Sequence, residues 1–258
     1  MEKNRTNLSV LSQIILFTCL LVSLNQAQGQ KMKTDKDFWN KCYEITDGNG
    51  KQFGPIKRGH CGIFYKTMDA LYIQKEKELD FYQFQSGQVI ASIGAQCCHW
   101  EAAYAATTDS LTFYLEDIDT TYFKRSQADF AWHYYDSIRE RPMTSQYKMI
   151  VGDERSTSLP ENIFDKILII NSFHEFTYQA EMLADIKKKL KSGGLLYIDE
   201  AMPKRPGQLH GICKKPMLTD EEMIAVFDKN GFEYVDGLEM NFRKNKPQRK
   251  IFAFQVKK

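Results

Sequence analysis

An α/β protein with a doubly wound, mostly parallel seven-stranded sheet and an antiparallel strand at one end is what this 258-residue sequence predicts. Three observations carry that expectation. Residues 162–203 hold two apolar runs of strand length, 166–170 and 195–198, on either side of a helical segment of about a dozen residues. Parallel strands are buried on both faces and read as such unbroken hydrophobic runs, so this is a βαβ unit. From Gln88 onward strand and helix patterns alternate, and the chain closes with a hairpin-like pair of strands.

The elements follow in order. Residues 31–87 form an N-terminal extension or cap with a helical stretch at 67–84 and a turn at Asp47-Gly48-Asn49-Gly50. The sheet domain, 88–258, opens on the strand at 89–93, which stops at Gly94. An Ala-rich helix at 99–106 leads to a second strand at 111–115, which ends in Glu116, Asp117, Ile118 and Asp119. A helix at about 121–137 precedes a third strand at 148–151, followed by Gly152, Asp153 and Glu154. In the helix of the βαβ unit Leu183, Ile186 and Leu190 share a face, and Lys187, Lys188 and Lys189 sit at its C-terminal end, where cations suit the helix dipole. Gly193 or Gly194 is expected to supply a left-handed helix stop. Thr219 and Glu222 make a capping box for a last helix ending near Asn230 and Gly231. Strands at 232–235 and 250–256 complete the seven. Open parallel sheets bind ligands at the carboxyl ends of their strands, which aims Asn171, His174, Asp199 and Glu200 at a site.

A net charge of +2 leaves no electrostatic footprint for nucleic acid. Residues 1–28 have the order of an export signal: Lys3 and Arg5, an apolar stretch at 8–24, then small and polar residues around Ala27 and Gly29. The expectation is an exported protein, periplasmic or secreted; the alternative is a membrane anchor formed by 8–24, the chain's sole membrane contact if it is left uncleaved. Beyond that segment five cysteines remain, and Cys42 with Cys61 is one possible pair. Cys97, Cys98 and His99 are adjacent ligand types without a second cluster, so they read as small buried residues, and no metal site is expected.

Taken in order, GAQCC at 94–98, Asp117, GDERSTSLPENIFD at 152–165, NSFHEF at 171–176 and LKSGG at 190–194 resemble a class I S-adenosylmethionine-dependent methyltransferase of the small-molecule type. The resemblance covers 88–203 well and the closing segment loosely. It implies a Rossmann-like fold, S-adenosylmethionine as cofactor and a small-molecule acceptor. Gly94 and Gln96 would lie under the methionine part of the cofactor. Asp117, with Ile118 beside it, would accept from the ribose hydroxyls; Asp153 and Glu154 would sit beside the adenine, and Asn171 would border the methionine moiety. Two departures stand out: Ser92 replaces an acid in the first strand, and Gln96 and Cys98 stand where further glycines are expected.

Methyl transfer to oxygen or nitrogen needs positioning and often a base. His174 is the candidate catalytic base, and Glu175 and Glu200 read as solvated strand-end carboxylates. Phe38, Trp39, Phe81, Tyr82 and Phe84 either cap an acceptor pocket or belong to the core. The competing reading is an exported member of the fold without catalysis that binds a ligand or partner. A nicotinamide-dependent oxidoreductase is disfavoured because no Gly-x-Gly-x-x-Gly turn is present.

Overall fold

The computed structural model describes residues 64–241 and 248–258; these belong to one compact unit, Ile45–Lys258. The expected leader at 1–28, the turn at 47–50, Phe38, Trp39 and the pair Cys42 and Cys61 lie outside the described residues. Among the described residues no helix is long and apolar enough to cross a membrane.

Seven strands form one sheet in the order β3-β2-β1-β4-β5-β7-β6. They are β1 (Val89–Ile93), β2 (Thr112–Asp117), β3 (Gln146–Val151), β4 (Phe164–Ile170), β5 (Leu190–Ala201), β6 (Phe232–Met240) and β7 (Arg249–Val256). The first five are parallel, and β7 runs antiparallel between β5 and β6. Among the described residues the helices are α1 (Met68–Tyr82), α2 (His99–Thr107), α3 (Arg125–Ile138), α4 (Gln179–Lys189) and α5 (Asp220–Lys229). A short 3-10 turn, Phe173–Glu175, follows β4.

Both faces of the sheet are covered. On one, Ala91, Ile93, Ile167, Ile169, Leu196 and Ile198 pack with Met182, Leu183 and Ile186 of α4 and with Met223 and Phe227 of α5. The other is aromatic: Tyr82 meets Tyr197 and Tyr104, and Phe113 meets Trp132. Phe81 also packs on Tyr197, so of the two readings of Phe81 and Tyr82 the core reading holds. α1 is fastened to this face by charge. Arg249 pairs with the fully buried Asp199 in a fork, Tyr82 donates to Asp199 (3.4 Å), and Lys75, paired with Glu78 (2.8 Å), lies over the Trp100 ring.

Several local expectations change. β2 extends to Asp117, so Glu116 and Asp117 are strand residues rather than the start of a loop. α3 begins at Arg125, because Asp119 first builds a turn, accepting from Thr121 N (2.8 Å) through its side chain and from Phe123 N (3.1 Å) through its carbonyl. α4 stops at Leu190 with extended backbone, and Gly193 does not cap it. Gly193 (φ +79°) instead lies within β5, where the register with β4 shifts between Phe164 and Lys166. Gly194 is needed there for another reason, since a Cβ would come within 2.8 Å of the Phe164 carbonyl oxygen. Lys189 is buried against Asp185 (3.2 Å), not solvated. The capping box is present with both hydrogen bonds.

Candidate active site at the strand ends

The pleat decides which strand-end residues can meet. Successive side chains point to opposite faces. Leu196 and Ile198 face α4 and α5, and Glu200 follows them; Tyr197 and Asp199 face α1. Asp199 is therefore turned away, fully buried on Arg249, and does not contribute to a strand-end site. Glu200 is not solvated either: it is buried, and its carboxylate accepts from His174 Nδ1 (2.8 Å) and from the His174 backbone N–H (3.3 Å).

At the carboxyl ends of β1, β2 and β4 lies a cavity of about 610 Å³. All seven residues expected to contact a cofactor line it: Gly94, Gln96, Asp117, Ile118, Asp153, Glu154 and Asn171. His174 stands behind the wall; its ring lies 4.5 Å from that of His210, which does line the cavity. A second cavity of the same volume lies between α1 and the end of α2. It is away from the strand ends, and its carboxylates, Glu76 and Asp80, face no strand-end group, so the site is assigned to the first.

The turn after β1 keeps an unusual backbone. Gly94 (φ +76°), Gln96 (φ +45°) and Cys98 (φ +59°) are all left-handed. This conformation is routine for glycine and costs other residues roughly 1–2 kcal/mol. The glycine spacing is thus retained as backbone geometry at positions where the side chains have changed. Gly94 itself has no substitute, because a Cβ there would lie 2.5 Å from Ser172 Oγ. Asp117 locks the turn: Oδ2 accepts from Gln96 N (2.8 Å), and Oδ1 accepts from Asp119 N (2.8 Å). Asp153 organises its own loop in the same way, accepting from Arg155 N (2.7 Å) and Ser156 N (2.9 Å).

Two carboxylates in the cavity were not anticipated. Glu101, from α2, receives a hydrogen bond from Ser92 Oγ (2.5 Å), so the acid missing from β1 is supplied by the facing helix. Glu116 packs over Gly152, where a Cβ would fall 1.9 Å from its Oε1. Burial pushes Glu101 up to about 7, and burial followed by the charge of Asp117 pushes Glu116 up to about 8. Burial also raises Asp117, against the pull of its backbone hydrogen bonds. Glu101 Oε2 and Glu116 Oε1 are buried without a hydrogen-bond partner among the described residues. The exchange of Ser92 for an acid was the signal that a carboxylate would come from elsewhere. The strand-end position pointed to Glu116, but not to its burial over Gly152.

The cavity is acidic. Glu101, Glu116, Asp117, Asp119, Asp153, Glu154 and Glu175 line it, with no lysine or arginine among the lining residues. Ile118, half exposed at the rim, adds an apolar surface. A cationic ligand with a flat apolar part and several donors fits these groups: the orphaned oxygens can take its donors, and Gly94 and Gly152 leave room where side chains would intrude.

A family model described as a methyltransferase domain matches residues 127–198. An uncharacterized methyltransferase, YdaC of Bacillus subtilis, is 26% identical over 106 residues, 41% of this chain and 55% of that protein. The chain thus spans about half the length of that curated relative. Among solved structures, a SAM-dependent methyltransferase from Aquifex aeolicus superposes with a TM-score of 0.53 at 16% identity, covering 70% of this chain and 89% of the other. Phosphoethanolamine N-methyltransferase 2 of Haemonchus contortus, in complex with S-adenosyl-L-methionine, gives 0.54 at 16% identity, over 72% of this chain and 52% of the other. The [4+2]-cyclase SpnF gives 0.56 at 13% identity, over 79% and 89%. The chain shares its fold with S-adenosylmethionine-dependent methyltransferases, and its residues 127–198 match a methyltransferase domain. The presence of a cyclase among its structural neighbours shows that the reaction must be argued from the site.

Proposed function

We propose that this chain binds S-adenosylmethionine at the strand ends and transfers its methyl group to a small-molecule acceptor. The observation that carries this reading is the acidic cavity wrapped around the left-handed turn at 94, 96 and 98. When bound, the cofactor supplies an electrophilic methyl on a sulfonium. The chain's own residues bind and orient. Gly94 and Gln96 would support the methionine part through backbone, with Asn171 at its edge. Asp117 would accept from the ribose hydroxyls, Ile118 would cover one adenine face, and Asp153 and Glu154 would take the exocyclic amine. Glu101, held by Ser92, would complement the cofactor's positive charge. Glu175, Phe176, Thr177, His210 and Ile212 form the wall left for the acceptor. Displacement at carbon requires acceptor, methyl and sulfur in line, and holding that arrangement is the main task of such a wall.

Calorimetry on the purified chain tests the reading. Asp117→Ala should weaken S-adenosylmethionine binding at least about tenfold, since a hydrogen bond to a charged acceptor contributes ~1.5–3 kcal/mol. No binding at millimolar cofactor by the unaltered chain would point to the non-catalytic member of the fold instead.

We also propose that the chain acts outside the cytosol, delivered through residues 1–28. Cys97 is disulfide-bonded, and such bonds persist in oxidising compartments. Mass spectrometry of the N-terminus of the native protein tests this, and an intact Met1 with cytosolic location refutes it.

A further inference from the structure

The connection between β5 and α5 carries His210 and Cys213, of which the proposed function uses only His210, as part of the acceptor wall. His210 N donates to the Lys215 carbonyl (2.8 Å), and Lys214 N donates back to the His210 carbonyl (3.2 Å). Lys214 is left-handed (φ +59°), and Leu209 pairs with Pro216 in an isolated antiparallel bridge. The result is a tight loop that brings His210 and Cys213, spaced His-x-x-Cys, to one side, with Nδ1 and Sγ 3.1 Å apart. The 3-10 turn after β4 brings His174 against them. One ligand atom from each of the three lies within 4.8 Å of the other two.

His174 is the independent pointer. Its side chain is 4% exposed, and Glu200 holds Nδ1. With Nδ1–H donated to that carboxylate, Nε2 carries a lone pair, and it is buried with no hydrogen-bond partner among the described residues. A carboxylate that fixes the tautomer of a histidine and leaves its other nitrogen bare is the usual support of a metal-bound imidazole. Glu175 Oε1, on an exposed side chain, is 3.8 Å from that nitrogen.

We propose that His174, His210 and Cys213 bind one zinc ion at the acceptor side of the cavity, with a fourth position open. Two imidazoles and one thiolate are zinc ligands by softness and by number. Zinc takes nitrogen at about 2.1 Å and sulfur at about 2.3 Å, so tetrahedral neighbours stand about 3.5 Å apart. The three ligand atoms lie within 4.8 Å of one another, so their longest separation exceeds that spacing by at most about 1.3 Å. Three protein ligands with an open place is the arrangement of zinc sites that act on substrate. His210 lines the cavity, so the open place borders the acceptor wall. There the ion would hold an acceptor's oxygen or sulfur and lower its pKa, its proton passing to water. That last role rests on the methyl-transfer reading; the ion's binding rests on the three side chains alone.

The test is calorimetric titration of the chelator-treated full chain with zinc chloride, without cofactor. One equivalent should bind, and Cys213→Ser and His210→Ala should each weaken binding at least 100-fold. Glu200→Gln should weaken it about 10- to 100-fold through the orientation of His174. Cys213→Ser should keep the zinc-free melting temperature and the S-adenosylhomocysteine affinity of the parent. Cobalt loading should give a thiolate charge-transfer band that this variant lacks. Absence of zinc binding, or binding undiminished in Cys213→Ser and His210→Ala, overturns the proposal. Zinc binding without cofactor binding leaves the metal site standing and removes the transfer reading; cofactor binding without zinc does the reverse.

Discussion

Gln96 and Cys98 show how a turn expected to hold glycines can change its side chains and keep its shape. Both residues hold the left-handed backbone that glycine holds at 94, and the hydrogen bond from Gln96 N to Asp117 keeps the turn closed. Left-handed backbone costs a non-glycine residue roughly 1–2 kcal/mol, while glycine loses roughly 0.5–1 kcal/mol more chain entropy on folding. Gln96→Gly should therefore stabilise the protein by up to about 1 kcal/mol without weakening cofactor binding, as read by urea denaturation and calorimetry. A loss of affinity in that variant would show that the Gln96 side chain, and not only its backbone, meets the ligand. Cys98 is a poorer place to test this, because it is fully buried and its removal also empties space.

At the scale of elements, the question is what holds α1 to the sheet. Asp199 is wholly buried and Arg249 grips it with two nitrogens, while Tyr82 of α1 donates to the same carboxylate. Removing one partner of a buried pair leaves an uncompensated charge, at a cost of about 3–5 kcal/mol. Arg249→Met should lower stability by that amount in urea. The double variant with Asp199→Asn should recover much of it, because no charge is then left unpaired. The position of Asp199 also shows where sequence reading stops. That Asp199 and Glu200 lie at a strand end is plain from the apolar run before them. Which of the two faces the site depends on which face of β5 meets α4 and α5, and a shift of one residue would exchange them.

The whole molecule should respond to pH through its acidic cavity. Glu101 and Glu116 sit at about 7 and about 8, above their ordinary 4.5. The folded protein therefore holds more protons than the unfolded chain between about pH 4.5 and 8. Stability from these groups is fully present below that window and is lost as pH rises through it. Without ligand, the melting temperature should fall from pH 5 to pH 8, and Glu116→Gln should flatten the fall. Binding runs the other way: a cation favours the ionised carboxylates, so S-adenosylmethionine should bind more tightly as pH rises from 6 to 8 and release protons. S-adenosylhomocysteine, without the sulfonium charge, should show a shallower rise. Calorimetry in buffers of different ionisation enthalpy measures both, and equal slopes for the two ligands would remove the charge argument.

The sequence by itself determined the strands and their direction, and it pointed to the strand ends as the place to look for a site. Buried parallel strands must be apolar throughout, and their polar ends are then conspicuous, so Asn171 could be named from pattern, while Gly94, Asp117 and Asp153 were named through the family resemblance. Only the tertiary structure decided that Glu101 answers Ser92 across nine residues, that Glu116 packs over Gly152, and that His210 and Cys213 come to His174 from a loop without periodicity. Those meetings depend on how helices and loops cross the sheet. Local pattern records what each segment buries, and it does not record which distant segment comes to lie against it.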